Sequence, residues 1–172
     1  MSLAAIDHFS TQKLSNMIIK QRMTSRMDGP FVVFMIGMRI NRFWKFGKWF
    51  PVAMAMPRML KELMKNPALG LISGQSWFGR TTIMVQYWES FEKLEAYAKD
   101  EQAQHLPAWR EFNRRIKSDG DVGIWHETYV IEAGHYECIY NNMPPFGLGK
   151  AGKLQPAVGN YHDAGDRLAR KQ

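Results

Sequence analysis

The sequence predicts an α+β fold of the ferredoxin-like type, a βαββαβ plait with an extra C-terminal strand. Three observations carry that expectation. The run FVVFMIGMRI at positions 31–40 is apolar and rich in strand formers, as a buried strand requires. Two helical patterns each follow a run of strand character, rather than alternating with strands throughout. Turn residues separate the runs: Asp28-Gly29-Pro30, Asn66-Pro67, Gly79-Arg80, Asp119-Gly120-Asp121 and Ala133-Gly134.

Taken in order, residues 1–28 are polar and basic, with Leu14, Met17 and Ile18 at helical spacing, and read as an N-terminal arm or a short helix. The domain proper is expected over 29–141. After its first strand, Asn41 to Pro51 reads as a loop in which Phe43, Trp44, Phe46, Trp49 and Phe50 interleave with Arg42, Lys45 and Lys48. Val52, Met56, Met59, Leu60 and Leu63 then form one face of an amphipathic helix that Asn66-Pro67 ends. Residues 69–78 and 81–88 form a hairpin about Gly79-Arg80. Ser90 offers an N-cap, with Glu92 in the first turn, for a helix carrying Phe91, Leu94, Tyr97 and Ala98. The chain breaks near His105-Leu106, and Pro107 opens a helix presenting Trp109, Phe112 and Ile116. Residues 124–132 are the last core strand and 135–140 a further short one; 142–172, rich in Pro, Gly and Lys, reads as an extended tail. One sheet face is covered by helices, and the other carries large side chains that need cover, for which a second copy of the chain is the economical answer.

With 172 residues, 45% of them hydrophobic, the chain is long enough for one domain with a real core. A single cysteine, Cys138, excludes a disulfide framework and multi-cysteine metal sites. The first ten residues lack a signal-peptide pattern, and no apolar run is long enough to span a bilayer, so a cytoplasmic location is expected. The net charge of +7 falls as +2 on residues 1–28, +2 on 29–141 and +3 on 142–172. The central region is nearly balanced and no groove-reading motif accompanies the charge, so no nucleic-acid partner is expected. A Walker loop, a dinucleotide fingerprint and a Gly-x-Ser-x-Gly elbow are all missing, and His126-Glu127 lacks the second histidine of a zincin helix.

The candidate site residues are therefore polar groups among aromatics. His105, at the helix break, either caps carbonyls at the surface or serves as an axial haem ligand or proton donor. His126 and Glu127 alternate on their strand, so only one sees a given face. Arg39, closing an apolar strand, either greets a carboxylate or propionate or pairs with an acid at the core edge. Gln86 and Trp88 are placed on the helix-free face. The 12 methionines suit an irregular apolar pocket, and Cys138 reads as inert.

The segment YWESFEKLEAYA at 87–98, followed by His105, resembles the third-strand-to-helix region of antibiotic-biosynthesis-monooxygenase-like proteins, members of the dimeric α/β-barrel superfamily. FMIGMRINRFWKFGKWFPV and HETYVIEAGHYECIYNNMPPFGLGKAG resemble, more narrowly, a family named after a monooxygenase of fungal fumagillin biosynthesis, over roughly residues 28–155. The resemblance implies a homodimer with sheets packed face to face, and a pocket between sheet and helices in each subunit. The superfamily includes cofactor-free oxygenases of polycyclic phenols, haem-degrading enzymes and haem-containing aldoxime dehydratases. In its haem-degrading members a strand Trp and a helix His serve the haem, and Trp88 and His105 are the nearest matches here.

The leading expectation is a monooxygenase-like enzyme of apolar or aromatic small molecules. If cofactor-free, it uses His105 or His126 as base, with Glu127 beside it and Trp88, Gln86, Tyr129 and Met84 shaping the pocket. If haem-dependent, it uses His105 as axial ligand and Arg39 toward a propionate. The alternatives are a non-catalytic carrier or sensor of haem or a hydrophobic ligand, and a purely structural dimer module.

Overall fold

The computed structural model describes residues 17–100 and 119–169, without the side chains at 55, 56, 58 and 169. The elements are β1 (Ile19–Arg26), β2 (Phe31–Ile40), α1 (Phe46–Lys65), β3 (Leu71–Trp77), β4 (Ile83–Trp88), α2 (Phe91–Lys99), β5 (Val122–Ile131), β6 (Tyr140–Met143), α3 (Leu148–Ala151), β7 (Lys153–Pro156) and α4 (Ala164–Ala169). The helix expected from Pro107 lies outside the described residues. The chain forms two units, residues 31–130 and the remainder.

In the first unit four strands run in the order β3-β4-β2-β5. β4 is antiparallel to both β2 and β3, with Val32 opposite Trp88 and Ile36 opposite Met84. With α1 between β2 and β3 and α2 after β4, this is the ferredoxin-like plait that the sequence predicts. The core lies between the helices and one sheet face, in two clusters. Val32, Leu63, Trp88, Leu94 and Tyr97 form one, where α1 and α2 meet the sheet. Met38, Ile40 and Val122, flanked by Trp49, Val52 and Ala53 of α1, form the other. Each such buried apolar side chain contributes about 1.5–3 kcal/mol.

Local chemistry explains the boundaries. Ser90 caps α2, its Oγ accepting from the Lys93 amide at 3.3 Å, as expected for a serine before Glu92. The Ser90 hydroxyl holds the Glu92 carboxyl below its usual range. α1 begins at Phe46 instead of after Pro51. The supposed loop is drawn into the helix because Trp49 Nε1 donates to the Phe43 carbonyl at 2.9 Å, while Phe46 stacks on Phe50 with 4.6 Å between centroids. Pro51 and Pro57 thus lie inside the helix.

In the second unit β1 is the central strand of a three-stranded antiparallel sheet, β6-β1-β7. Residues 19–26, read from sequence within an arm or short helix, are a strand, since both of its edges are paired and Met23, Thr24 and Ser25 are buried. The short strand expected at 135–140 falls instead at Tyr140–Met143. Side-chain bonds replace the ladder before it: Tyr136 Oη accepts from the Met27 amide at 2.6 Å, and Cys138 Sγ from the Ser25 amide at 3.3 Å. Farther along, β7 pairs with β1, and Arg167 of α4 is buried against Glu137, with Nη2 to Oε1 at 3.1 Å. Arg167 Nη1 also donates to the carbonyls of Tyr161 and His162 at 2.9 and 2.7 Å.

Gly37 on β2 marks the tightest approach in the four-stranded sheet. A Cβ there would sit 2.0 Å from the Thr82 carbonyl oxygen and 2.7 Å from Trp125 Nε1. Gly37→Ala is therefore expected to destabilise the fold by about 3 kcal/mol in urea unfolding, through overpacking against backbone. Gly47→Ala, where an added Cβ meets nothing within 4 Å, is expected to leave the midpoint unchanged or slightly higher.

Candidate functional site

Alternation along β2 puts Val32, Phe34, Ile36, Met38 and Ile40 under the helices, and cross-strand pairing carries that phase to β4. Trp88, Gln86 and Met84 therefore face the helices, correcting the helix-free placement read from sequence for Gln86 and Trp88. The strand offers two apolar rows, Ile83, Val85 and Tyr87 against Met84 and Trp88, so its own pattern leaves the phase open. The indole decides it: Trp88 is 0% exposed and packs against Tyr97 at 5.8 Å between centroids.

These three side chains form a hydrogen-bonded file along β4. Trp88 Nε1 donates to Gln86 Oε1 at 2.8 Å, and Gln86 Nε2 reaches Met84 Sδ at 2.9 Å. Both donors, buried away from water, are thereby satisfied. Met84 in turn lines a small, open apolar cleft, with Met38, Ala53, Ser76, Trp77, Phe78, Thr82 and Ile83 around it. One sheet row farther along, Gln86 pairs with Phe34, and the Phe34 ring lies 5.8 Å from the His126 imidazole. His126 thus flanks the helix-covered face from β5.

The other candidates fall elsewhere. Glu127 and Tyr129 are on the opposite face of β5, where the exposed Tyr129 hydroxyl donates to Glu127 Oε2 at 2.7 Å. That carboxylate holds the phenol pKa above its usual value. Arg39 is exposed on the helix-free face and donates to Thr81 Oγ1 at 3.0 Å. His105 lies outside the described residues. Beneath α1, burial and Glu62 raise the pKa of Tyr97, whose hydroxyl donates to Glu62 Oε2 at 3.1 Å. Among the described residues no group of three or more His, Cys, Asp or Glu is placed to hold a metal ion, and no helix is long and apolar enough to cross a membrane.

Sequence reasoning missed the anchor at the end of the sheet. Asp121, its side chain 0% exposed, receives Arg42 Nη1 at 2.9 Å, Lys45 Nζ at 2.7 Å and Lys48 Nζ at 3.2 Å. Lys48 also reaches Asp119 at 2.6 Å. The Lys45 hydrogen bond, then that of Lys48, holds the Asp121 carboxyl below its usual range. The signal lay in a cation every third position, 42, 45 and 48, against Asp119-Gly120-Asp121.

The strand order and the helices on one face define a ferredoxin-like α+β domain with its apolar cleft under a helix. The chain belongs to the monooxygenase af470-like family, whose sequence pattern matches residues 31–148. It is 28% identical over 133 residues to monooxygenase af470 of Aspergillus fumigatus, covering 71% of this chain and 46% of that protein. The chain thus spans about half the length of the curated relative it matches. Among solved structures, SnoaB, a cofactor-independent oxygenase from Streptomyces nogalater, is similar with a TM-score of 0.42 at 10% identity, over 58% of this chain and 90% of that one. A dimeric ferredoxin-like protein of unknown function from Jannaschia sp. CCS1 gives 0.40 at 16%, over 56% and 97%.

Because the folded Asp121 carboxyl ionises more readily than in the unfolded chain, its contribution is full above the usual carboxylate range and is lost as pH falls through the lowered value. Thermal unfolding followed from neutral pH to about pH 3 is expected to show a steeper low-pH loss in the wild type than in Asp121→Asn. The variant is also expected to start from a lower midpoint at neutral pH, because Arg42 and Lys45 lose their carboxylate and Lys48 keeps only Asp119.

Proposed function

We propose that this protein is a monooxygenase of an apolar or aromatic small molecule that binds on the helix-covered face of the sheet, and that it works without a cofactor. The observation that carries the reading is the apolar cleft bottomed by Met84 and backed by the satisfied Gln86–Trp88 file. That file lets polar atoms stand behind an apolar wall without competing for the ligand. The family membership and the name of the Aspergillus relative support the reaction class.

The residues around the cleft do not fit haem well. Among the described residues its lining holds no imidazole, thiolate or phenolate, and its two sulfurs are thioethers, of Met38 and of Met84, the latter engaged by Gln86. A haem reading would rest on His105 and on Arg39, which lies on the other face. Without a cofactor, the base is the exposed His126 imidazole, which lies outside the cleft lining beside Phe34 on the same sheet face and takes a proton from an activated CH₂ of a substrate that extends from the cleft along that face. The carbanion reduces O₂ and forms the C–O bond, and the resulting hydroperoxide takes back a proton. Loss of water then leaves the ketone, so one oxygen atom enters the product and the other leaves as water. Trp88 and Gln86 act by holding the wall, Met84 by touching substrate. Glu127 and Tyr129, paired on the far face, take no part in this step.

We further propose that the helix-free face, with Val33, Met35, Ile83, Val85 and Tyr87 half-buried and Trp77 37% exposed, packs against a second copy of the chain. Light scattering is expected to give twice the chain mass, reverting to the single-chain mass in Val85→Lys; a wild type of single-chain mass overturns the dimer.

Oxygen-uptake assays with anthrone-type tricyclic substrates test the reaction. His126→Ala is expected to lower kcat by about 10²-fold with the fold intact; undiminished turnover removes His126 from the mechanism. Haemin titration of the wild type belongs beside it, since a saturable Soret band at one haem per chain, lost in His105→Ala, would overturn the cofactor-free reading.

A further inference from the structure

The end of the four-stranded sheet carries an exposed surface that shares only Phe78 with the cleft. Two loops build it, the one joining β2 to α1 and the turn joining β3 to β4. They are fastened together: the Ile40 amide donates to the Arg80 carbonyl at 2.8 Å, and the Arg80 guanidinium lies 5.9 Å from the Phe43 ring centroid. Large apolar side chains stand out from both. Trp44 is 77% exposed, Phe78 74%, Phe46 53% and Phe43 49%. Such exposure of several aromatics together marks an interaction surface rather than a scatter of single residues.

Cations ring these aromatics. Arg39, Arg42, Lys45, Lys48 and Arg80 share this end of the sheet with two anions, Asp119 and Asp121, leaving it net positive. Asp121 is wholly buried, whereas Arg42 and Lys45 keep 48% and 36% of their side chains exposed, so the charge presented outward is positive. The Asp121 anchor, not the helix itself, accounts for Lys45 and Lys48 at this end. Lys45 and Lys48 sit at the start of α1, where the helix dipole disfavours positive charge, and the first turn holds no acid.

We propose that this end of the molecule docks on the surface of a bilayer containing acidic phospholipid. Trp44 and Phe78 enter the headgroup region from the two loop tips, and Arg42, Lys45 and Arg80 face the lipid phosphates. Aromatic side chains favour the membrane–water interface, and clustered cations add attraction to acidic lipids; the two signals together suffice for reversible attachment without a spanning helix. The charge complementarity selects acidic lipid over a neutral surface. The docking surface stands whether or not the cleft is catalytic. Phe78 also belongs to the rim of the cleft, so docking would bring that mouth to the bilayer, where an apolar ligand concentrates.

The test is co-sedimentation of the full chain with vesicles of phosphatidylcholine, alone or mixed with phosphatidylserine. The wild type is expected to pellet with the mixed vesicles about tenfold more than with phosphatidylcholine alone, and to be released as salt is raised. The double variant Trp44→Ser, Phe78→Ser, checked for an unchanged far-ultraviolet spectrum and thermal midpoint, is expected to lose about tenfold in partitioning. Arg80→Glu probes the charge independently and is expected to weaken only the phosphatidylserine-dependent part. Pelleting that ignores phosphatidylserine, or a double variant that partitions as the wild type does, overturns the proposal. So does light scattering in which the same two serines abolish a self-association while vesicle binding is absent, which would make the patch a contact between copies.

Discussion

One buried carboxylate holds the working end of this domain together. Asp121 opens β5, yet its side chain is enclosed by Arg42, Lys45 and Lys48, and its main-chain carbonyl accepts from the amides of Asn41 and Arg42 at 3.0 and 3.3 Å. The end of β2, the start of α1 and the start of β5 thus converge on a single residue. Exposed ion pairs contribute little individually. A carboxylate out of water is different, because removing any partner leaves uncompensated charge, so the geometry around it is held as a unit. The position of α1 over Met38, Ile40 and Val122 follows from that anchor, and so does the wall of the cleft that Ala53 supplies.

From the anchor the sheet divides its labour by face. Even-numbered residues of β2 and β4 lie under the helices and odd-numbered ones lie opposite, and only at the sheet's end, through Trp77 and Ile83, does the cleft draw on both rows. The buried amide of Gln86 is tolerated because Trp88 donates to its oxygen and Met84 accepts from its nitrogen, a small network within one strand. On the opposite face Trp125 Nε1 and Gln75 Oε1 are buried without hydrogen-bond partners among the described residues, a cost that the fold carries there.

Much of the plait was legible in the sequence because its strands and helices obey their own periods: Phe31–Ile40, the Gly79-Arg80 turn and the Ser90 cap each carry a local signal. The phase of β4 was not, since Ile83, Val85 and Tyr87 look as much like core as Met84 and Trp88 do, and only the pairing with β2 separates them. β1 was hidden for a related reason. A strand whose neighbours in the sheet come from more than a hundred residues away has no local partner to betray it, and its polar Thr24 and Ser25 are buried by bonds to Cys138 and Leu148. Of the candidate site, Met84 could be found by composition, whereas the cation triad on Asp121 required three-dimensional proximity between residues some eighty positions apart.

The two prolines of α1 have a bearing on how the cleft breathes. Proline has no amide hydrogen, so Pro51 and Pro57 leave the carbonyls of Gly47 and Ala53 without their helical donors. The helix over the cleft consequently lacks two internal hydrogen bonds, one near its start and one at Ala53, while the bonds on either side of each run on. The second gap falls at Ala53, in the cleft wall, so the place where a proline lets this helix bend most easily is the cleft itself, while Asp121 anchors the helix at its start.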